Sequence, residues 1–196
     1  MGYRTFVQLV RSDLYRHAGS SDHSAFARHM LGSPGFQYTF WLRLVAWLRT
    51  ERAPARLLLP IAGLIKRHIS YKYGISIPAR TRIGPGFYIG HFGGIVVNEA
   101  SVIGSNCNIS QGVTLGQANR GEHQGAPSIG DNVYIGPGAK LVGRVHIGSN
   151  AAISANAVVT KDVPEHAVVG GVPARVLSHD GSGAYVNRTD YPTVSL

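Results

Sequence analysis

An aliphatic residue recurs at every sixth position through much of residues 77–159, and this period restricts the fold more than any other feature. A helix with about 3.6 residues per turn cannot keep one face apolar at this period, and a simple strand would alternate at every second residue. A short strand and a tight turn fit such a unit, so that three units close one triangular coil and stacked coils bury the aliphatic column. The sequence therefore predicts a parallel β-helix. Its aliphatic positions form three runs: Ile77, Ile83, Ile89 and Ile95; Ile103, Ile109 and Leu115; and Ile129, Ile135, Leu141, Ile147, Ile153 and Val159.

The period is interrupted twice. Two extra residues separate Ile95 from Ile103, which indicates an adjusted corner between them. Eight extra residues separate Leu115 from Ile129, so that a loop has to leave the coil there. This loop is polar and glycine-rich, with the sequence GQANRGEHQGAPS. Because loops on a rigid scaffold commonly carry function, we expect it to contribute to a functional site.

Residues 1–74 show helical spacing instead. Ser33 followed by Pro34 predicts a helix start with a serine cap. A last helix is expected from about Ala53 to Tyr73, kinked or broken at Pro60 and ended by Gly74. The sequence thus divides into a helical N-terminal segment (1–74), a coil domain (75–177) and a C-terminal tail (178–196).

Positive charge is concentrated in the helical segment. The chain has a net charge of +9, and residues 1–74 contribute +8 of it, with 11 Lys and Arg against 3 Asp and Glu. Such a segment attracts phosphate, anionic lipid or acidic glycan equally well. Peripheral membrane contact through these basic helices is therefore one hypothesis, beside a plain helical cap. We expect no nucleic-acid partner, because Trp41 and Trp47 look core-facing rather than placed for base contacts.

Cysteine content and apolar runs bear on the compartment. The only cysteine, Cys107, excludes an intrachain disulfide and fits a reducing compartment. It occupies a small inward position, which predicts a structural thiol. No apolar run is long enough to span a bilayer, and no secretion signal is present at the N-terminus. We therefore expect a cytoplasmic protein.

Four segments make the chain resemble the hexapeptide-repeat acyltransferases, and within them the serine acetyltransferase group. The segments are GFYIGHFGGIVVNEASVIG (86–104), NISQGVTLG (108–116), IGDNVYIGPGAKLVG (129–143) and VVTKDVPEHAVVGGVPARV (158–176). The short helical region further resembles shortened relatives associated with exopolysaccharide and capsule assembly. The resemblance implies a left-handed β-helix, a homotrimer and transfer of acetyl from acetyl-CoA to a hydroxyl, with no metal required.

The resemblance also implies roles for single residues. His91 would be the general base, whereas the alternative is a histidine satisfied by the backbone. Glu99 would orient or polarise the site, with a solvated corner carboxylate as its alternative. Main-chain groups at Gly116, Pro137 and Ala155 would line the pantetheine slot of acetyl-CoA between neighbouring coils. Lys161 and Arg175 would meet the phosphates, unless they are ordinary surface charges.

The chain departs from serine acetyltransferases at the expected acceptor site. Those enzymes carry an aspartate fifteen residues before the base and another directly before it, where this chain has Ser76 and Gly90. They end the loop with Asp-Arg-His, where this chain has Gln-Gly-Ala at 124–126. His123 could partly replace the missing histidine, although a surface histidine in a mobile loop is the plainer interpretation.

These departures bear on the acceptor, because a zwitterion gains little from a site that lacks both charge partners. The sequence therefore favours a saccharide hydroxyl, in exopolysaccharide or capsule biosynthesis. The first alternative is a serine O-acetyltransferase of cysteine biosynthesis. An alternative from another class is a non-catalytic or membrane-associated hexapeptide scaffold.

Overall fold

The computed structural model describes residues 1–52 and 54–192. Within them, helices precede a series of short strands. The helices are α1 (Tyr3–Ala18), α2 (His23–Gly32), α3 (Pro34–Leu48), a 3-10 helix (Ala55–Leu58) and α4 (Leu59–Tyr73). The strands are β1 (Ile75–Ser76), β2 (Arg82–Ile83), β3 (Tyr88–Ile89), β4 (Ile95–Val97), β5 (Val102–Ile103), β6 (Asn108–Ile109), β7 (Thr114–Gly116), β8 (Ser128–Ile129), β9 (Tyr134–Ile135), β10 (Lys140–Val142), β11 (His146–Ile147), β12 (Ala152–Ile153), β13 (Val158–Val159), β14 (Val168–Gly171) and β15 (Ala174–Ser178).

The strands form a three-sided coil, because each of the strands β1 to β10 pairs in parallel with the third strand after it, and β12 pairs in parallel with β14. The first face contains β1, β4, β7, β10 and β13, the second face β2, β5, β8 and β11, and the third face β3, β6, β9, β12 and β14. Among the strands of the described residues, β15 runs antiparallel, against β14 at the end of the coil. The predicted parallel coil is confirmed. Its left-handed sense, which only the resemblance implies, stays a prediction.

Aliphatic side chains of successive coils form a buried column inside the prism. On the first face Leu115 aligns with Leu141 and Leu141 with Val159, and all three are at most 2% exposed. Alanine fills a second inward position at residues 139 and 157, where the coil is narrow. Each buried aliphatic side chain stabilises the fold by about 1.5–3 kcal/mol.

The two extra residues lie one strand earlier than the period predicts. The register pairs Val97 with Leu115, so Val97 takes the column position that the sequence analysis gave to Ile95. The longer turn therefore lies between Ile89 and Val97, and the placement between Ile95 and Ile103 is wrong. The hydrophobic pattern does not distinguish Ile95 from Val97, because Ile95 is fully buried as well, in the second inward position. The extra residues fall in the turn at 90–94, which carries the candidate base.

Local signals set the limits of α3. It begins at Pro34, as predicted, with the ring at the first helical positions. The predicted serine cap is wrong, since the Ser33 side chain makes no capping bond and its hydroxyl lies 2.6 Å from His29 Nδ1. Helix α2 has no counterpart in the sequence analysis.

Helix α4 is defined by a proline and a glycine. Pro60 stands in its first turn after the 3-10 helix, so the predicted break at this proline is confirmed. Gly74 ends it with φ of +61°, in the left-handed region that glycine enters without strain. The expected start near Ala53 lies outside the described residues. No helix in the described ranges combines the length and apolar character that a bilayer crossing demands.

A buried ion pair joins the helical segment to the first coil. Arg43 Nε donates to Asp13 Oδ2 at 2.9 Å, and both side chains are buried. Arg43 also donates to the carbonyls of Ile83 and Gly84 at 2.7 and 2.6 Å, and Asp13 accepts the amide of Phe87 at 2.8 Å. Burial raises the pKa of Asp13 although Arg43 opposes that shift. Removal of one partner would leave a buried charge unpaired, at a cost of about 3–5 kcal/mol.

Candidate functional site

His91 lies in the longer turn between β3 and β4, and its side chain is exposed. The neighbouring Phe92 packs its ring 5.3 Å from that of Tyr73 at the end of α4. Gly93 and Gly94 follow with positive φ, at +107° and +66°. An exposed imidazole can receive a proton from a bound hydroxyl, which a histidine satisfied inside the coil could not.

Gly90 stands next to a filled space. A Cβ placed on this glycine would lie 3.1 Å from Cε1 of Tyr88. The Tyr88 ring is held by His17 of α1, with the ring centroids 4.5 Å apart. A carboxylate at this position would therefore need Tyr88 to shift. The residue directly before the candidate base carries no charge in this chain, and a side chain there would press against the Tyr88 ring.

One edge of the prism carries His91 together with two of the expected pantetheine residues. This histidine edge consists of the turns from the third face to the first, at residues 90–94, 110–113, 136–139 and 154–157. Pro137 and Ala155 occupy neighbouring turns, and the amide of Asn156 donates to the Pro137 carbonyl at 2.8 Å. The structure thus places His91, Pro137 and Ala155 along one edge.

A second edge carries Glu99, Gly116, His123 and Lys161. This loop edge consists of the turns from the first face to the second, and the predicted loop leaves the coil there at 117–127. Ala118 and Gly125 exchange backbone hydrogen bonds of 2.9 and 3.0 Å, which close the loop on itself. The His123 carbonyl accepts the amide of Arg144 at 2.7 Å, which fastens the loop to the next coil. His123 and His91 therefore lie on different edges of the chain.

Lys161 and Arg175 come together at the last coil. Both line a cavity of about 290 Å³, to which Arg175 is brought by the antiparallel hairpin of β14 and β15. Both side chains are exposed. Two neighbouring cations suit a phosphate group, although Asp162 also lines this cavity.

Ser76 and Glu99 line a shared cleft of about 400 Å³ near the first coil. Glu99 Oε1 lies 3.7 Å from Nη1 of Arg80, and both side chains are largely exposed. Neither His91 nor Gly90 is among the residues that line this cleft. Within one chain, Glu99 is thus a charge partner of Arg80, and its role toward His91 stays a prediction.

The sequence analysis missed the side chains around these candidates. Arg80 and Arg82 were not singled out, because Arg80 lies in a turn and only Arg82 begins a strand, so no strand period links them. Tyr88 gave no signal, because its packing against α1 depends on a contact distant in sequence. Cys107 is buried as expected, and burial raises the pKa of its thiol to about 12.

Comparisons with known proteins agree with this geometry. The family described as "Bacterial transferase hexapeptide (six repeats)" matches residues 126–161. A serine acetyltransferase of Synechococcus elongatus is 37% identical over 154 residues, which are 78% of this chain and 60% of that protein. A serine acetyltransferase of Staphylococcus aureus is 43% identical over 108 residues, 55% of this chain and 51% of the relative. This chain therefore spans about half to three-fifths of the length of these curated relatives.

Solved structures extend the likeness to the helical segment. The crystal structure of serine acetyltransferase from Brucella abortus strain S19 matches with a TM-score of 0.76 and 30% identity, over 92% of this chain and 72% of that one. The structure of that enzyme in complex with coenzyme A matches with the same TM-score and identity, over 91% and 70% of the two chains. With the hexapeptide coil, the shared helices and this coverage, the chain belongs to the serine acetyltransferase family.

Proposed function

We propose that this protein is an acetyl-CoA-dependent O-acetyltransferase with His91 as the general base. The observation that carries the proposal is the exposed imidazole on a lengthened turn, on the same edge as Pro137 and Ala155. The imidazole takes the proton of the acceptor hydroxyl while the hydroxyl oxygen attacks the thioester carbon. The carbon–sulfur bond then breaks, and the thiolate of coenzyme A leaves with the proton from the imidazolium.

The residues of the coil suit acetyl-CoA as co-substrate. Lys161 and Arg175 would hold phosphate groups at the last coil, where the structure brings these cations together. The pantetheine arm would run along the turns of Pro137 and Ala155, and Gly116 would border the same groove from the loop edge. A relative in this family has been crystallised with coenzyme A, which supports the assignment.

We further propose a homotrimer in which each site lies between two protomers. The candidate residues divide between the histidine edge and the loop edge of one chain, so a neighbour's loop edge would complete the site beside His91. In this arrangement the coil of residues 75–177, wound in the left-handed sense, carries the transfer. Residues 1–74 cap the first coil. The tail from 178 runs back along the coil, where Asn108 Nδ2 donates to the Tyr185 carbonyl at 2.9 Å and Arg188 Nη1 donates to the His17 carbonyl at 2.6 Å.

The comparisons support serine as the acceptor better than the saccharide that the sequence favours, because the relatives are named serine acetyltransferases. One observation still favours a saccharide hydroxyl. Ser76 and Gly90 stand where the resemblance implies two acceptor-site aspartates, and Tyr88 borders the space beside Gly90. The proposed membrane contact and the polysaccharide pathway have no support in the comparisons.

An acceptor panel tests the proposed function. Coenzyme A release would be measured with acetyl-CoA and, in turn, free serine, simple sugars, nucleotide sugars and oligosaccharides. Turnover with serine alone would establish the family's named activity, whereas turnover with a sugar alone would establish the second candidate. The absence of turnover with every hydroxyl compound would contradict an acetyltransferase.

Mixed trimers test the division of the site between protomers. We would combine a His91→Ala chain with a Glu99→Gln/His123→Ala chain, each expected to be inactive alone, after reversible dissociation. Random assembly leaves about a quarter of the interfaces with both edges intact, so about a quarter of the wild-type rate should return. No recovery in mixed trimers of confirmed composition would place the whole site within one chain.

A further inference from the structure

A cleft of about 840 Å³ lies between the helical segment and the first coil. Leu9, Ala46, Leu59, Ala79 and Ile83 give it an apolar wall. The rest of its lining includes five guanidinium side chains and no carboxylate. We call it the arginine cleft after Arg43, Arg49, Arg56, Arg80 and Arg82.

Two of these arginines have carboxylate partners. Arg43 forms the buried ion pair with Asp13, and Arg80 lies beside Glu99. Arg49, Arg56 and Arg82 have no carboxylate within 4.0 Å in the part of the chain that the structure describes. Three exposed guanidinium groups thus converge on one cleft without a counter-ion from the described protein, which leaves a site of positive potential.

A neighbouring lysine and a buried hydroxyl add polar groups around the arginine cleft. The adjacent cleft shares Arg49, Ala79 and Arg80 with the arginine cleft and also contains Lys66. Burial lowers the pKa of Lys66, and the charge of Arg49 lowers it further. Thr81 lines the arginine cleft, and its hydroxyl oxygen is buried without a hydrogen-bond partner among the described residues. The site therefore offers an unused donor beside its excess positive charge.

We propose that the arginine cleft binds a phosphorylated ligand whose organic part rests on the apolar wall. Guanidinium groups match phosphate oxygens with paired hydrogen bonds. The volume falls within the range of about 300–1,000 Å³ found for small-molecule sites and exceeds what a bare phosphate fills.

This site is separate from the proposed coenzyme A site. Arg80 and Arg82 belong to the first coil, whereas Lys161 and Arg175 belong to the last. The phosphoryl group could be that of a soluble ester or of a lipid headgroup, since Leu57, Leu58 and Ile61 are exposed beside Arg56. Both sources present the same chemistry to the arginines, and the experiment has to distinguish them.

Calorimetric titration of the full chain with UDP and with inorganic pyrophosphate tests the soluble source. Flotation with phosphatidylglycerol vesicles, against phosphatidylcholine vesicles, tests the headgroup at about 150 mM salt. In an Arg56→Gln/Arg82→Gln variant, binding of the effective probe should weaken about tenfold or more, because charge-assisted bonds to phosphate are lost. Arg49→Gln provides a second variant at an independent position. The matched control, Arg28→Gln on the exposed side of α2, should bind within twofold of wild type.

Each outcome bears on the site directly. Weaker binding of UDP or pyrophosphate by the cleft variants supports a soluble ligand. Weaker binding of phosphatidylglycerol vesicles alone supports a lipid headgroup. Unchanged coenzyme A affinity in the same variants confirms that the two sites are distinct. The proposal is overturned if the wild-type chain binds none of the probes, or if the cleft variants bind the effective probe as tightly as Arg28→Gln does.

Discussion

His17 makes the folded chain sensitive to acid. Its ring packs against Tyr88 and Phe36, and its Nε2 is buried without a hydrogen-bond partner among the described residues. Burial, with smaller contributions from the charges of His29, Arg16 and Arg188, lowers its pKa to about 3. An unfolded chain binds a proton at this histidine near pH 6.5, whereas the folded chain keeps the ring neutral.

The sign of the linkage follows from this difference. Below pH 6.5 the unfolded state binds more protons than the folded state, so stability falls as the pH decreases. Between pH 7 and pH 5 the loss from this one group is about 2 kcal/mol, at about 1.4 kcal/mol for each pH unit below the ordinary pKa. A His17→Phe variant keeps an aromatic ring beside Tyr88 and removes the titration.

Urea unfolding at pH 7 and pH 5, at one fixed protein concentration, measures the effect. The other histidines remain in both proteins, so the difference between the two pH dependences isolates His17. We expect the wild-type free energy of unfolding to decrease by about 2 kcal/mol more than that of His17→Phe. Equal decreases in the two proteins would refute the burial of a neutral imidazole at this position.

Two further predictions concern the core of the coil. Leu141→Ala removes a fully buried side chain from the first face, so it should lower the free energy of unfolding in urea by about 2–5 kcal/mol. The control Leu177→Ala changes a side chain that is 65% exposed and should alter this free energy by less than about 0.5 kcal/mol. Equal losses of stability in the two variants would contradict the buried aliphatic column. Cys107 should resist a thiol reagent at pH 8 in the folded chain and react after unfolding, since its thiol is buried and has a raised pKa. Rapid reaction of the folded protein would contradict the burial of this thiol.

The coil was predictable because its signal is local and repeated. A period of six needs no knowledge of distant contacts, and Pro34, Pro60 and Gly74 mark helix limits through their own backbone restrictions. The position of the longer turn was not predictable, because Ile95 is buried at a second inward position that a hydrophobic pattern cannot tell from the first. Strand register separates these positions, and register is a property of the folded coil.

The candidate site was predictable only in part for a similar reason. The sequence marks His91 through its resemblance to a family, but it contains no signal for the edge on which the residue lies. The arginine cleft was not predictable either. It joins Arg49 and Arg56 to Arg82 across a contact between the helical segment and the coil, so only the tertiary structure brings these residues together.

The most direct measurement of the central claim is the rate of coenzyme A release by His91→Ala with the acceptor that the panel identifies. His68→Ala is the matched control, since His68 is also exposed but lies on α4 of the helical segment. We predict that His91→Ala lowers kcat about 10²- to 10⁴-fold, with unchanged oligomer mass and circular dichroism, and that His68→Ala stays within twofold of wild type. A folded His91→Ala variant that keeps the wild-type kcat would contradict the role of this histidine as general base.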